Sequence, residues 1–193
     1  MSVLPRGAAM PVIDRESEEL QRFRMSWEEY LELPEDLRAE WVDGEVVVSP
    51  RPAAGHAYAL TQVGHLLVTH LPQLIVLSEG GVWLPRNRLR GPDVMLVERW
   101  PDDIWVTEPA VLVVEVLSRA TRAEDTIRKS AEYLEGGVGQ FWTLDPERRA
   151  LDVLANGGAA WRPLLHLDEA QSAGEVVVGG HGTVPVDLGE LLH

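Results

Sequence analysis

The chain contains no cysteine among its 193 residues, and Lys129 is its only lysine beside 16 arginines. The absence of cysteine excludes disulfides and thiolate metal sites, and it fits a reducing cytoplasm. The sequence also lacks an apolar run near the roughly 20 residues of a membrane-spanning helix. Its first residues lack the basic and then apolar pattern of a secretory signal. We therefore expect a soluble cytoplasmic protein.

The single lysine has two explanations at this level. An arginine-rich composition can leave one lysine by chance. Alternatively, Lys129 performs a task that arginine cannot, because an ammonium is a compact charge whose pKa moves on desolvation, whereas a guanidinium is a planar fork that stays protonated. Composition alone leaves both explanations open.

The net charge of −14 argues against nonspecific binding to nucleic acid, because phosphate contacts need cationic side chains. The acidity is concentrated, however. Residues 14–45 contain 12 acidic and 4 basic residues, whereas residues 86–130 contain 8 of each. The middle of the chain is therefore neutral, with local cationic patches.

The length and the 45% hydrophobic content are sufficient for one sizeable core. Residues 1–24 lack a steady apolar period and are predicted to be a flexible N-terminal arm before a single domain, 25–193. The predicted order of elements is helix, several strands, helix and further strands. This order indicates an α/β (α+β) fold around a mixed sheet.

Local signals place the elements. Ser26 and Glu29 have the spacing of a capping box at a helix start, a helical turn is predicted over 35–40, and Asp43-Gly44 predicts a hairpin. Periodicity predicts helices over 55–71 and 121–135, strands over 74–78, 82–84, 93–97, 111–117, 138–144, 151–154 and 161–165, and a final strand and short helix over 184–192.

Two carboxylates stand in apolar strands. Glu115 lies inside VLVVEVL, where an ionised group is costly unless it is paired; a salt bridge to a core arginine and an exposed strand edge are the simpler interpretations. Asp93 follows Pro92 and can be a strand-end cap. If both point to one face, they form a hard-oxygen cluster suited to Mg²⁺ or Mn²⁺.

Lys129 is predicted on the helix after the Glu115 strand, from which it can reach back over the same sheet edge. An ammonium there can lower the pKa of a metal-bound water and stabilise negative charge on a phosphate. The alternative is an exposed helix lysine that pairs with Asp125, four residues earlier.

The ordered motifs of residues 25–155 resemble the Uma-two family of the restriction-endonuclease-like PD-(D/E)XK superfamily. The matching segments are WEEYLELPED, AEWVDGEVVVSPRPAAGH, GPDVMLV, PAVLVVEVLSRAT, DTIRKSAEYLEGGV and QFWTLDPERRALDVL. The resemblance implies a restriction-endonuclease-like core, with a mixed central β-sheet flanked by helices.

The resemblance also implies a metal site. Asp93 and Glu115 would be its acidic ligands, and the backbone carbonyl of Val116 would be a further ligand. Glu40 matches the family's early glutamate and could reach the metal or a metal-bound water.

The catalytic lysine is implied on the following helix. Many relatives in the superfamily have it two positions after the second acidic residue, where this chain has Leu117. The family pattern D-x-x-x-K-x-x-x-Y matches Asp125, Lys129 and Tyr133. Two departures, in Ser118–Thr121 and at Gln140-Phe141, remove no implied ligand, although Arg119 can change the local charge.

Candidate substrate contacts are cationic. The arginines Arg86, Arg88 and Arg90 could hold a nucleic-acid backbone, and His56 matches a family histidine that we assign a minor role in substrate contact. His65 and His70 are not at helical ligand spacing, so we do not expect a zinc site. The seven tryptophans are predicted to be core and interface residues rather than base-stacking platforms.

The leading hypothesis is a Mg²⁺-dependent endonuclease that hydrolyses phosphodiester bonds in DNA, with Mn²⁺ as an alternative metal. A homodimer is expected by analogy, because cutting both strands suits two related sites. A second hypothesis is a catalytically silent, oligomeric nucleic-acid-binding or regulatory module on the same fold. A third, glycoside hydrolysis by paired carboxylates, leaves Lys129 unexplained.

Overall fold

The computed structural model describes residues 11–193, which form a mixed α/β structure with sheets of six, five and two strands. The predicted α/β class with a mixed sheet and flanking helices is confirmed. Residues 1–10 of the predicted arm lie outside the described part, and Gln21–Arg24 at its end form a strand that pairs with Glu45–Val48. No helix in residues 11–193 has both the length and the apolar character needed to span a membrane.

Residues 11–193 contain thirteen strands and four α-helices, one of which follows directly on a π-helical turn. The strands are β1 (Gln21–Arg24), β2 (Ala39–Val42), β3 (Glu45–Val48), β4 (Ile75–Ser78), β5 (Val82–Leu84), β6 (Arg88–Arg90), β7 (Val94–Val97), β8 (Leu112–Val116), β9 (Gln140–Asp145), β10 (Ala150–Asn156), β11 (Trp161–Leu167), β12 (Ala173–Val178) and β13 (Gly182–Asp187). The helices are α1 (Trp27–Leu31), α2 (Ala54–His70), the π-helical turn Glu124–Lys129, α3 (Ser130–Glu135) and α4 (Leu188–Leu191).

The six-stranded sheet, in the order β11-β10-β9-β8-β7-β4, separates two cores. Its β8–β9 pair is parallel, and its other pairs are antiparallel. Side chains alternate across a strand, so Val114 faces the core beneath α2, whereas Val113 faces the core shared with α3 and β5. Glu115 therefore points to the α3 side, where Tyr133 contacts it.

The five-stranded sheet, in the order β1-β3-β2-β6-β5, is antiparallel. Asp43 and Gly44 both have positive φ, 49° and 81°, as a two-residue hairpin turn requires. The helical turn predicted over 35–40 is wrong. The segment contains a hydrogen-bonded turn, in which the Leu37 N–H donates to the Pro34 carbonyl at 3.0 Å, and Ala39–Val42 pairs with β3 on one side and with β6 on the other. Glu40 is consequently a strand residue beside β6.

The helix predicted over 121–135 is present, but its first part is π-helical. A π-helical turn is rare and is frequently found at functional sites. Here it buries Glu124, Asp125 and Lys129 on the side that faces the sheets. The helix ends before Gly137, whose φ of 77° is a conformation that favours glycine.

Two other features were not predicted from the sequence. The segments 74–78 and 82–84 belong to different sheets, because β4 pairs with β7 and β5 pairs with β6. The strand β12 was not predicted; it pairs with β13, and the two strands supply Val176, Val178, Val184 and Val186 to the core beneath α2.

Candidate active site

A cavity of about 900 Å³ lies at the side of the sheets where the predicted catalytic residues meet. Its lining includes Glu40 from β2, Asp93 before β7, Glu115 from β8 and Lys129 from the π-helical turn. These residues are separated by up to 89 positions in sequence, and each is at most 7% exposed. The structure therefore brings all four predicted catalytic side chains to one buried site.

Lys129 lies at the centre of this cluster. Its Nζ is 3.0 Å from Glu40 Oε1, 3.1 Å from Glu115 Oε1 and 3.3 Å from Asp125 Oδ1. Lys129 is only 6% exposed, so the interpretation as an exposed helix lysine is wrong, although its pairing with Asp125 is present. Burial lowers the pKa of Lys129, but the surrounding carboxylates outweigh that effect and raise the pKa well above its ordinary value. The ammonium therefore stays protonated.

Glu115 is paired with Lys129 rather than with a core arginine. Its Oε1 also accepts a hydrogen bond of 2.7 Å from the Tyr133 hydroxyl. Burial raises the pKa of Glu115 well above its ordinary value, and the nearby Asp125, Asp93 and Glu40 add to this, against the opposing effect of Lys129. Burial and the neighbouring carboxylates together therefore outweigh the effect of Lys129 on the pKa of Glu115.

Asp93 is held from three directions. Its Oδ1 lies 2.8 Å from Arg38 Nη2 and 3.2 Å from His56 Nε2, and its Oδ2 accepts a 2.7 Å hydrogen bond from the Val116 N–H. Burial raises the pKa of Asp93, but His56, Lys129 and the Val116 N–H outweigh it and lower the pKa. Asp93 is therefore ionised, with its orientation fixed against β8.

Glu40 is paired at both of its carboxylate oxygens. Its Oε1 accepts from Lys129 and from the Gly91 N–H at 2.9 Å, and its Oε2 accepts from Arg90 Nη1 at 2.7 Å. Burial raises the pKa of Glu40, but Lys129 and Arg90 outweigh it and lower the pKa to about 2. These contacts position Lys129, and the predicted approach of Glu40 to the metal or to a metal-bound water stays a prediction.

Arg90 requires a correction. Its side chain is 0% exposed and cannot reach a nucleic-acid backbone from this position. Its Nε donates to Glu132 Oε2 at 2.6 Å, and its Nη2 is 2.9 Å from Glu124 Oε1, an ion pair without hydrogen-bond geometry. The guanidinium instead neutralises a group of buried glutamates, including Glu40.

The other two arginines of the predicted backbone contact lie nearer the surface. Arg86 is 69% exposed at its side chain and pairs with Glu135 at 2.8 Å. Arg88 is 16% exposed and pairs with the same Glu135 at 2.9 Å. Both are thus engaged with the end of α3, outside the residues that line the cavity.

The cavity contains carboxylate oxygens of the kind that a divalent cation prefers, although they are paired with protein donors in this structure. Glu115 and Asp125 have raised pKa values, first because burial disfavours their charges and then because other carboxylates lie nearby. A divalent cation would offset both the burial of these carboxylates and their mutual repulsion, and carboxylate oxygens are its preferred ligands. In the described residues, no three His, Asp or Glu side chains are arranged as a metal site. The predicted ligand set of Asp93, Glu115 and the Val116 carbonyl stays a prediction.

Sequence reasoning missed three residues that hold the site. Arg38, which binds Asp93, has no distinguishing local pattern. Glu124 and Glu132 flank Arg128 at i,i+4 spacing, and this pattern on one helix face indicates paired charges. That signal could have pointed to a charged face turned toward the sheets, although it could not have identified Arg90 as the partner.

The comparisons with known proteins agree with this architecture. The family model described as "Uma2: Putative restriction endonuclease" matches residues 27–181. A crystal structure described as "a putative nuclease belonging to DUF820" from Anabaena variabilis superposes with a TM-score of 0.69 at 16% identity, over 85% of this chain and 95% of that chain. No curated protein sequence matches. The restriction-endonuclease-like fold is thus confirmed, and the chain belongs to the Uma2 family.

Proposed function

We propose that this protein is a divalent-metal-dependent nuclease that hydrolyses phosphodiester bonds in DNA. The observation that supports this most directly is the position of Lys129, whose ammonium contacts three buried carboxylates beside Asp93 in an open cavity. Membership of a family whose model is described as "Putative restriction endonuclease" also supports this chemistry.

The metal would be Mg²⁺ or Mn²⁺, held by Asp93 and Glu115, with the Val116 carbonyl as a further ligand. When bound, it would supply Lewis-acid polarisation of the phosphate and a more acidic water. The positions of the two carboxylates support this ligand set, because Asp93 directly precedes β7, Glu115 lies on β8, and the charge of Lys129 acts on both.

Hydrolysis adds a water oxygen to phosphorus and breaks one P–O ester bond, and the leaving oxygen gains a proton. Lys129 is an ammonium, because the surrounding carboxylates raise its pKa well above the ordinary value. It can therefore stabilise negative charge on the phosphate but cannot accept the water proton. Glu40, Asp125 and the Tyr133 hydroxyl fix the surroundings of that charge.

A second candidate is the silent binding or regulatory module. It is favoured by the extent to which the cluster is internally paired, since both oxygens of Glu40 and one oxygen of Glu115 already contact protein donors. The predicted homodimer and cytoplasmic location apply equally to this candidate and to the nuclease.

Calorimetric titration with Mn²⁺ and Mg²⁺ separates the two candidates without knowledge of the target sequence. We expect the unmodified chain to bind metal and both Asp93→Asn and Glu115→Gln to lose that binding. The exposed Asp102→Asn and Glu169→Gln remove the same charges outside the cavity and should bind as the unmodified chain does. A cleavage screen on single-stranded and duplex DNA would follow, with Lys129→Met as the inactive control.

Absence of metal binding by the unmodified chain, even with DNA added, would refute the nuclease proposal. Equal loss in the exposed control variants would also refute it, because the effect would then reflect net charge rather than one site. Metal binding without cleavage of any DNA would favour the silent module.

A further inference from the structure

The cavity is lined by aromatic rings as well as by the carboxylate cluster. Tyr30 and Trp105 line the same cavity as Lys129 and Glu115. They belong to a group of partly exposed, mutually packed rings, which we call the aromatic wall: Trp27, Tyr30, Trp41, Trp83 and Trp105. Trp27 lies at its centre, with ring centroids 5.2 Å from Tyr30 and 5.3 Å from Trp105.

Trp105 is rigidly placed in this wall. The next residue, Val106, donates its N–H to the Gly81 carbonyl at 2.9 Å and accepts from the Trp83 N–H at 2.8 Å, so the loop is attached to the edge of β5. A Cβ at Gly81 would lie 2.5 Å from Trp105 Cδ1, so the ring packs directly on the glycine backbone. Ordering this ring on ligand binding therefore costs little conformational entropy.

The charged residues around the cavity do not form a track for duplex phosphates. Besides the buried Arg90 and the carboxylates around Lys129, four arginines line it, Arg15, Arg38, Arg51 and Arg119, together with five carboxylates, Glu16, Glu18, Glu35, Asp36 and Glu79. Arg15 pairs with Asp36, and Arg38 pairs with Glu79 and Asp93. Arg119 pairs with Glu147, so Arg51 is the one of the four without an ion pair in residues 11–193. Because affinity for a polyanion needs unneutralised cations, recognition at this cavity requires another source of binding energy.

The cavity volume also favours a ligand of one or two nucleotides over a duplex. About 900 Å³ is at the upper end of the range for small-molecule pockets, roughly 300–1,000 Å³. It can hold a nucleotide or two, whereas a stacked base in a duplex cannot enter a pocket until it is extruded.

We propose that Trp105 and Tyr30 form a subsite for an unpaired nucleobase, so that the substrate is single-stranded DNA or an unpaired end. Base–aromatic stacking accepts every base, and it needs no phosphate contacts beyond those near the scissile bond. This inference rests on the proposed nuclease function, because the cluster of Lys129 defines where the phosphate lies.

The test compares binding of a fluorescein-labelled oligodeoxythymidine of about ten nucleotides, a length within known single-strand site sizes, with a duplex of equal length. Anisotropy is measured with the full chain, in EDTA and again in Ca²⁺. We expect the single strand to bind more tightly than the duplex. Its affinity should fall with salt concentration only as steeply as about two phosphate contacts require. Trp105→Leu should weaken it about tenfold, whereas Trp105→Tyr, which keeps a stacking face, should stay within about threefold.

Trp100→Leu is the matched control, because Trp100 is 69% exposed and lies outside this cavity. Urea unfolding of each variant shows whether a loss of affinity reflects loss of fold. Tighter duplex binding, equal affinities of Trp105→Leu and Trp100→Leu, or no single-strand binding in either buffer would overturn the subsite. Metal binding by Asp93 and Glu115 would still be judged separately by calorimetry, so the two proposals can fail independently.

Discussion

Substitution of Glu40 by glutamine tests whether the buried ion network stabilises the folded protein. Glutamine keeps an acceptor for the Gly91 N–H but removes the charge that faces Lys129 and Arg90. The pKa of Glu40 falls from its ordinary 4.5 to about 2, which corresponds to about 3 kcal/mol of stability at neutral pH. Removal of one partner from a buried ion pair independently predicts about 3–5 kcal/mol. We therefore expect Glu40→Gln to lose about 3 kcal/mol.

The pH dependence of this loss has a definite sign. Because the pKa of Glu40 is lower in the folded than in the unfolded chain, its contribution is fully present above the unfolded value of 4.5 and is lost as the pH falls through about 2. The difference in stability between the unmodified chain and Glu40→Gln should therefore shrink to about 1 kcal/mol near pH 3. Urea unfolding at neutral pH and near pH 3 measures this difference directly.

The exposed Glu169→Gln is the control, since it removes the same charge far from any buried cation. Its stability should match that of the unmodified chain at both pH values. If Glu40→Gln is as stable as this control at neutral pH, the network does not stabilise the fold. If its loss is the same near pH 3 as at neutral pH, the ionisation of Glu40 is not the cause.

Two further substitutions test neighbouring parts of the structure. Arg90→Met should lose about 3–5 kcal/mol in urea unfolding, because several buried glutamates lose a fully buried partner; a loss no larger than that of the exposed Arg162→Met would contradict this. Ser26→Ala should lose about 1 kcal/mol, because the Glu29 N–H loses its capping acceptor. Ser26→Asp, which restores an acceptor, should recover most of that stability, and failure to do so would argue against the cap.

Segments with strong local signals were predictable from the sequence. The run Val111–Leu117 corresponds to β8, whose five residues are all buried because cores cover both of its faces. The capping box of α1 and the Asp43-Gly44 hairpin also follow from local chemistry. The turn predicted over 35–40 failed because its final residues are determined by pairing with β3 and β6, and such long-range pairing has no local signature.

The residues of the site could be predicted from the sequence, but the contacts between them could not. The carboxylates in apolar segments, Asp93 and Glu115, and the single lysine were anomalous enough to be identified individually. The burial of Arg90 was not predictable, because Arg86, Arg88 and Arg90 alternate along a short segment that looks like an exposed cationic surface. In the strand β6 residues two apart share a face, so Arg88 and Arg90 both turn toward the acidic helix face that ends in Glu135.

The contacts of Lys129 give a physical reason for an ammonium at this position. Three carboxylate oxygens lie within 3.0–3.3 Å of one nitrogen that is almost inaccessible to solvent. A compact ammonium with three donors can satisfy such a convergent set, whereas a planar guanidinium directs its donors along a fork and needs more room. Arg90 occupies the neighbouring site, where the carboxylates are spread around a larger perimeter. The geometry of the two anion clusters therefore accounts for lysine in one and arginine in the other, without recourse to chance survival of a single lysine.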